Sequence, residues 1–336
     1  MNLADFDYHL PQELIAQEPL KDRSAARMLV LDRARGQWED RWFREFPSFL
    51  SEGDCVVLND SRVFPARLYG HRPGKLAPVE VFLLRATSPD GREWQALVRP
   101  GRGMRPGERI AFEGGLEAEI VARGEFGQRT VRFQGEEDLF HTFERIGHVP
   151  LPPYIKRPDE PNDRERYQTV FARENGSAAA PTAGLHFTGE ILTRCRERGA
   201  TLAYVTLHVG LGTFQPLRDP IVERSKLHAE TYRITEENAA RIRAARRVVA
   251  VGTTSVRCIE SAWRRGEFAG ETDIFLYPGI PFQITGAMLT NFHLPRSSLL
   301  LLVAAFAGRE LALAAYRHAV ESRYRFYSYG DCMLIL

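Results

Sequence analysis

"VVAVGTTSVRCIESAWRRG", residues 248–266, is the stretch on which the fold class turns. The apolar run "VVAVG" reads as a strand. "TTSVRCIESAWRRG" (253–266) reads as a helix that stops at a Gly. The same alternation extends outward. "TGEILTRCRERG" (188–199) is a helix with a Thr cap and a Gly stop, and "TLAYVTL" (201–207) is a strand. "TEENAARIRAARR" (235–247) is a helix with Thr at its cap and acids in its first turn. "IFLYPG" (274–279) reads as a strand and turn, and 297–322 as one or two helices. On the N-terminal side, "CVVL" (55–58) is a short buried strand that leads into the turn-forming "NDSRVFPARL" (59–68).

Between about 66 and 135 the texture is different. "VEVFLL" (79–84), "WQALV" (94–98), "RIAF" (109–112), "LEAEIVA" (116–122) and "RTVRF" (129–133) are short strand-like runs separated by Gly- and Pro-bearing turns. Such spacing predicts a small barrel or sandwich. The expected fold class is therefore α/β. A larger α/β domain is built from both chain ends, 1–66 and 148–336, and a small antiparallel β-barrel domain, 67–147, is inserted in it. Ligand sites tend to lie between such domains.

Composition narrows the classes. The 336 residues are 44% hydrophobic and 26% charged, with a net charge of +2, as in an ordinary globular protein. Lys occurs only at 21, 75, 156 and 226, so 41 of the 45 basic residues are Arg. Codon bias is the plain cause; bidentate phosphate recognition is the functional one. Cys55, Cys195, Cys258 and Cys332 are widely spread and form no C-x-x-C pair. That spacing speaks against a zinc site or disulfide framework and fits a reducing cytoplasm. The N-terminus has no basic-then-apolar leader pattern, and "LLLLVAAFA" (299–307) is too short to span a bilayer, so it reads as a buried helix.

Several polar stretches are candidates for chemistry. "TLHVGLGTFQPL" (206–217) carries Gly210 and Gly212 beside His208. The dinucleotide fingerprint wants a third Gly three residues after the second, but Gln215 and Pro216 stand there. The segment reads instead as a glycine turn that lets backbone approach a ligand. "GSAAAPTAGLHFT" (176–188) places His186 before a helix; "TNFHLPRSS" (290–298) holds Asn291 and His293; "KLHAETY" (226–232) holds His228 and Glu230. Each lone His also has a structural reading as a hydrogen-bonded core residue. His228 and Glu230 share a face if extended, but no third ligand stands near them for a metal. Thr253, Thr254 and Ser255 are either an N-cap with spare hydroxyls or a carboxylate- or phosphate-binding helix start. The aromatics of "YRFYSYGD" (324–331) read as core or C-terminal docking. Pattern alone stops at an enzyme with a His-bearing polar pocket. A nucleotide-dependent oxidoreductase and a non-enzymatic RNA-binding module stay open at this point.

The same stretches carry a family resemblance. "DFDYHLPQELIAQEP" (5–19), "LNDSRVFPARL" (58–68), "LPPYIKR" (151–157), "RYQTVFA" (166–172) and "GSAAAPTAGLHFT" come first in order. "TLHVGLGTFQPL", "HAETY" (228–232), "VGTTSVR" (251–257), "TNFHLPRSSL" (290–299) and "YRFYSYGDCMLI" (324–335) follow. Together they resemble the S-adenosylmethionine:tRNA ribosyltransferase-isomerase family of queuosine biosynthesis from residue 5 to the C-terminus. The insertion matches only in its β character.

The resemblance implies transfer and isomerisation of the ribosyl part of S-adenosylmethionine onto 7-aminomethyl-7-deazaguanine at the tRNA wobble position. Epoxyqueuosine-tRNA forms, with adenine and methionine released. The donor is consumed; no recycled cofactor and no metal is expected. The partners are S-adenosylmethionine and that tRNA, and the protein is expected to be a cytoplasmic monomer without a membrane contact. On this resemblance His186, His208 and His293 are the acid/base candidates. Thr253, Thr254, Ser255, Gly210, Gly212, Glu230, Asn291 and Asp331 are expected around the donor. Glu230 or Asp331 would balance its sulfonium. Asp60, Ser61, Arg62 and Arg67 lie at the junction with the insertion. With Arg102 and Arg105 they are expected to meet tRNA. An S-adenosylmethionine-dependent tRNA methyltransferase is the enzymatic alternative, separable by product.

Overall fold

A computed structural model describes every residue except 125–126, 136–137, 211–216 and 218. Among the described residues the strands begin with β1 (Arg27–Asp32), β2 (Gln37–Trp42), β3 (Asp54–Asn59) and β4 (Ser61–Val63). The next six are β5 (Arg67–His71), β6 (Pro78–Ala86), β7 (Glu93–Arg99), β8 (Arg109–Phe112), β9 (Glu117–Arg123) and β10 (Gln128–Gln134). The last seven are β11 (Glu174–Ser177), β12 (Thr201–Leu207), β13 (Glu230–Arg233), β14 (Arg247–Val251), β15 (Ala269–Thr272), β16 (Ala287–Asn291) and β17 (Cys332–Ile335). The helices are α1 (Leu139–Ile146), α2 (Asp163–Arg166), α3 (Gly189–Glu197), α4 (Glu236–Arg243), α5 (Gly252–Arg265), α6 (Ser298–Ala307) and α7 (Arg309–Glu321).

Nine strands form one mixed sheet in the order β15-β13-β12-β3-β14-β16-β17-β1-β2. Its middle four, β12, β3, β14 and β16, run parallel. β3 is buried at all six positions. Cys55 and Val57 enter the apolar layer that contains α5, α6 and α7, whereas Val56 and Leu58 enter the layer formed with Phe43, Phe46 and α3. A strand covered on both faces has no polar side to show, which is why "CVVL" reads as an unbroken apolar run. The caps legible in the sequence are present. Thr188 accepts from the Ile191 amide at 3.2 Å, and Gly266 closes α5 in the left-handed conformation at φ 69°.

β5 to β10 close into an antiparallel barrel in the order β10-β7-β6-β5-β8-β9. Alternate residues such as Trp94, Ala96 and Val98 point inward, and Leu139 and Phe143 of α1 complete the core. The fold class expected from sequence is the one observed: a mixed α/β sheet with a small closed barrel.

Two local expectations change. Residues 274–279 form no strand; Ile274, Phe275 and Tyr277 pack side chains against the core without a ladder. The pairing strand is the unpromising "AGET" of β15, held by β13. The segment 59–68 is not all turn, because β4 pairs in parallel with β11. No single helix among the described residues is long and apolar enough to cross a membrane. α6 and α7 pass that test only together, across a bend of 116°.

The parallel strands position the site. Asn59 ends β3 and Asp60 follows it, His208 follows β12, Gly252 to Thr254 follow β14, and Asn291 ends β16 with Phe292 and His293 after it. In open α/β sheets, ligands bind beyond the carboxyl ends of such strands.

Candidate active site

A cavity of about 510 Å³ lies beyond these strand ends, within the range of small-molecule sites. At the start of α5 the preceding residue, Val251, offers no side-chain cap. First-turn amides there are left for an outside acceptor. Thr253 and Thr254 line the cavity, and the buried Thr254 Oγ1 has no partner among the described residues. Ser255 does not join them: its hydroxyl donates to the Val251 carbonyl at 2.7 Å. Of the three hydroxyl residues expected around the donor, Thr253 and Thr254 line the cavity and Ser255 does not.

Asn291 and His293 line the same cavity. Asn291 Nδ2 donates to the carbonyls of Tyr327 (2.8 Å) and Ser328 (3.3 Å), so its Oδ1 accepts from His186 Nε2 at 2.9 Å. His186 is therefore a neutral Nε2–H donor behind Asn291. It lines a small side crevice instead of the main cavity. His293 pairs its Nε2 with Thr290 Oγ1 at 2.8 Å. Burial is the leading cause that holds His186 down at about 4 and His293 at about 3, and it also lowers His208.

These shifts predict a pH dependence of stability. The unfolded chain binds protons at His186 and His293 below about 6.5, while the native state refuses them. Stability is full above that pH and should fall by about 4 kcal/mol between pH 7 and 5. The buried Asp60 and Asp331, pushed up by burial, act in the opposite sense nearer the carboxylate range. Urea unfolding midpoints at pH 7.5 and 5 measure the effect; equal midpoints would refute it.

The aromatic tail contributes a wall that the sequence reading treated as docking. Tyr154 packs on Tyr327 with centroids 4.2 Å apart, and its hydroxyl meets Ser328 Oγ at 2.5 Å. All three line the cavity. Tyr327 has φ 72° and a buried hydroxyl with no partner among the described residues. A non-glycine residue held there is strain that the surroundings must sustain. The "Y" of "LPPYIKR" and the turn-forming "YSYG" are the signals that could have found this wall.

A second cavity, about 460 Å³, separates the barrel from the sheet. Arg85, Trp94, Gln95 and Phe140 face it from the barrel side; His208, Gly210, His228 and Glu230 face it from the sheet. Val209, between His208 and Gly210, lines the first cavity instead. One extended segment is thus the shared wall of both spaces. Arg85 and Glu271 bridge the cleft at 2.7 Å.

Other expectations are revised by the geometry. Glu230 is not a free counter-charge: its Oε2 pairs with buried Arg257 at 2.5 Å, and its Oε1 accepts from the Gly210 amide at 3.0 Å. Asp331 stands off both cavities because its carboxylate accepts from the amides of Arg27 (2.9 Å) and Arg325 (2.8 Å), tying the C-terminal strand to β1. Asp60 takes the Thr206 hydroxyl at 2.7 Å, and Ser61 is fully buried, so neither presents itself to RNA. Arg67 is held by the Leu151 carbonyl at 3.2 Å and by Glu80. Arg62 is exposed beside a small crevice, and Arg102 and Arg105 are exposed on a barrel loop. Gly212 lies outside the described residues. The three His candidates do not converge: each faces a different space. Among the described residues no group of three His, Cys, Asp or Glu could hold a metal, and the four cysteines are buried and free.

A small-molecule cavity and a cleft between barrel and sheet that share one wall are the arrangement of an enzyme with two substrates. A family model described as queuosine biosynthesis protein matches residues 3–335, and the chain belongs to that family. The S-adenosylmethionine:tRNA ribosyltransferase-isomerase of Solibacter usitatus is 70% identical over the full length of both chains. The enzyme of that name from Symbiobacterium thermophilum is 51% identical over the same full span. The crystal structure of S-adenosylmethionine tRNA ribosyltransferase from Thermotoga maritima, 38% identical, aligns with 99% of this chain and 100% of its own at a TM-score of 0.56. The chain is thus a tRNA-modifying enzyme of ribosyl transfer and isomerisation in queuosine synthesis.

Proposed function

We propose that the ribosyl part of S-adenosylmethionine is transferred to the aminomethyl group of 7-aminomethyl-7-deazaguanine at the wobble position of tRNA and isomerised there. Epoxyqueuosine-tRNA forms, and adenine and methionine leave. The observation that carries this reading is the pair of cavities on opposite faces of His208-Val209-Gly210. A donor in the first and a base in the second would be a chain's width apart, as in-place transfer requires.

Each demand of the chemistry has a matching group. The methionine carboxylate suits the uncapped start of α5 with Thr253 and Thr254. A sulfonium is attracted to aromatic faces, which Tyr154 and Tyr327 provide. The sulfonium acidifies the adjacent C5′ hydrogens, so a base can form an ylide, and adenine needs a proton as it departs. His293 is the titratable ring in the donor cavity and is proposed for these transfers. His186 acts through Asn291 as a positioning residue. S-adenosylmethionine is consumed as a substrate; the reaction calls on no metal. Residues 67–147 are read as the inserted domain and 1–66 with 148–336 as the catalytic one. Exposed Arg62, Arg102 and Arg105 are offered to tRNA phosphates. The enzyme is proposed to work as a cytoplasmic monomer, in keeping with its free cysteines.

The test is chromatographic. Purified protein is incubated with S-adenosylmethionine and tRNA carrying the aminomethyl-deazaguanine base, with unmodified tRNA as control. Adenine and methionine released only with the modified tRNA are the expected result. S-adenosylhomocysteine in their place would mean methyl transfer and overturn the proposal.

A further inference from the structure

Ser177 belongs to no binding role above, and Ser61 was expected to touch RNA. Both side chains are fully buried, and they form a chain of hydroxyls that ends on His208. The Val209 amide donates to Ser177 Oγ at 2.9 Å. Ser177 Oγ lies 2.5 Å from Ser61 Oγ, and Ser61 Oγ lies 2.9 Å from His208 Nδ1. The geometry is built by the backbone. β11 runs parallel to β4 with a register shift between Asn175 and Ser177. The shift falls at Gly176, at φ 144°, where an added Cβ would stand 2.8 Å from the His208 ring. The ring therefore packs against a position that only Gly serves. Asn59 holds the other end: its Nδ2 donates to the Leu207 carbonyl at 3.0 Å, and its Oδ1 accepts the Ser61 amide at 3.1 Å.

Proton counting decides the direction. Each serine has one proton to donate. With Ser177 Oγ accepting from Val209, its own proton goes to Ser61, and the Ser61 proton goes to His208 Nδ1. Both serine protons are then used. In the reverse order His208 Nδ1–H donates to Ser61 and Ser61 to Ser177, and the Ser177 proton has no acceptor among the described residues. A buried hydroxyl proton without an acceptor is the costly arrangement. Nδ1 is thus an acceptor, and the ring proton sits on Nε2. Nε2 has no protein partner among the described residues, and the ring lines the cleft between barrel and sheet.

We infer that Ser61 and Ser177 are positioning residues that hold His208 as its Nε2–H tautomer, a fixed hydrogen-bond donor for a carbonyl oxygen of the tRNA base seated in the cleft. This rests on the proposed assignment of the cleft to the base. A 7-deazaguanine ring has carbon where guanine has N7, so O6 is the acceptor left on that edge. An adenine would bring an amino donor to the same place and be refused. His208 is then a specificity group and not the proton-abstracting base, since its lone pair at Nδ1 is already engaged.

The tautomer is measurable in the ligand-free enzyme. In two-dimensional spectra of ¹⁵N-histidine-labelled protein, the His208 signals are assigned by their loss in His208→Gln. The wild type should show a protonated Nε2 and an unprotonated, hydrogen-bonded Nδ1. Ser61→Ala and Ser177→Ala should lose that bias. In the adenine-release assay they should raise KM for the modified tRNA by about tenfold or more, with KM for S-adenosylmethionine unchanged. A wild-type Nδ1–H signal overturns the inference even if neither variant folds. A tautomer unmoved in both variants overturns it too. A shift in KM for S-adenosylmethionine alone would put His208 in the wrong cavity. A wild type that shows the Nε2–H signal but releases no adenine would sink the proposed reaction and leave the relay standing.

Discussion

Arg257→Ala is expected to destabilise the protein by about 3–5 kcal/mol, the cost of breaking a buried ion pair by removing one member. Arg257 and Glu230 are each about 5% exposed at the side chain and 2.5 Å apart. Removal of the guanidinium takes the ion-pair cation from a carboxylate whose side chain is only 4% exposed, where solvation is poor. The same carboxylate holds the Gly210 amide, so the wall between the two cavities should loosen with it. The pair is costly even when intact, because Arg257 Nε and Nη2 are buried without partners among the described residues. Joint replacement by apolar residues, Arg257→Met with Glu230→Leu, should therefore recover most of the loss in stability while activity stays low. Urea unfolding midpoints of the single and joint variants decide the matter. A single-variant loss below about 1 kcal/mol would show that the site is wetter than its burial implies.

The second large effect is on turnover. Asn291→Ala should reduce adenine release at least about 100-fold, the scale expected when reacting groups are misplaced by an ångström. Asn291 is the knot between three chain segments. It receives His186 from the segment before α3 and donates to the Tyr327 and Ser328 carbonyls of the C-terminal turn. Its loss unties the Tyr154–Tyr327 wall from the end of β16. Asn291→Asp keeps the acceptor for His186 but turns a donor into a repulsion against two carbonyls, so it should fail nearly as badly. Near-normal single-turnover rates in Asn291→Asp would show that the tail is held by other contacts and that the wall is not part of the site.

Much of this molecule is local in origin and therefore legible. Thr188 caps the helix it precedes, Gly266 ends the one it follows, and the apolar run of β3 announces a strand covered on both faces. The barrel shows in its alternation and its turns. β15 was not legible, because "AGET" carries no apolar signal and is a strand only by pairing with β13. "IFLYPG" has the composition of a strand and lacks the partner. Composition reports burial, whereas strand formation needs a neighbour's backbone.

The site divides along the same line. From the sequence alone come the α/β class with its inserted barrel, the family, and the short stretches that end at the cavities. The tertiary structure alone decides which side chain of each stretch faces which space. His208 and Val209 are neighbours that look into different cavities because successive residues of an extended chain point to opposite sides. His186 stands behind Asn291, and Asp331 spends both oxygens on backbone amides. The relay from Ser177 through Ser61 to His208 joins residues 147 positions apart at its end. Such contacts depend on strand order and register, which are set by packing across the whole sheet, and no local pattern encodes them.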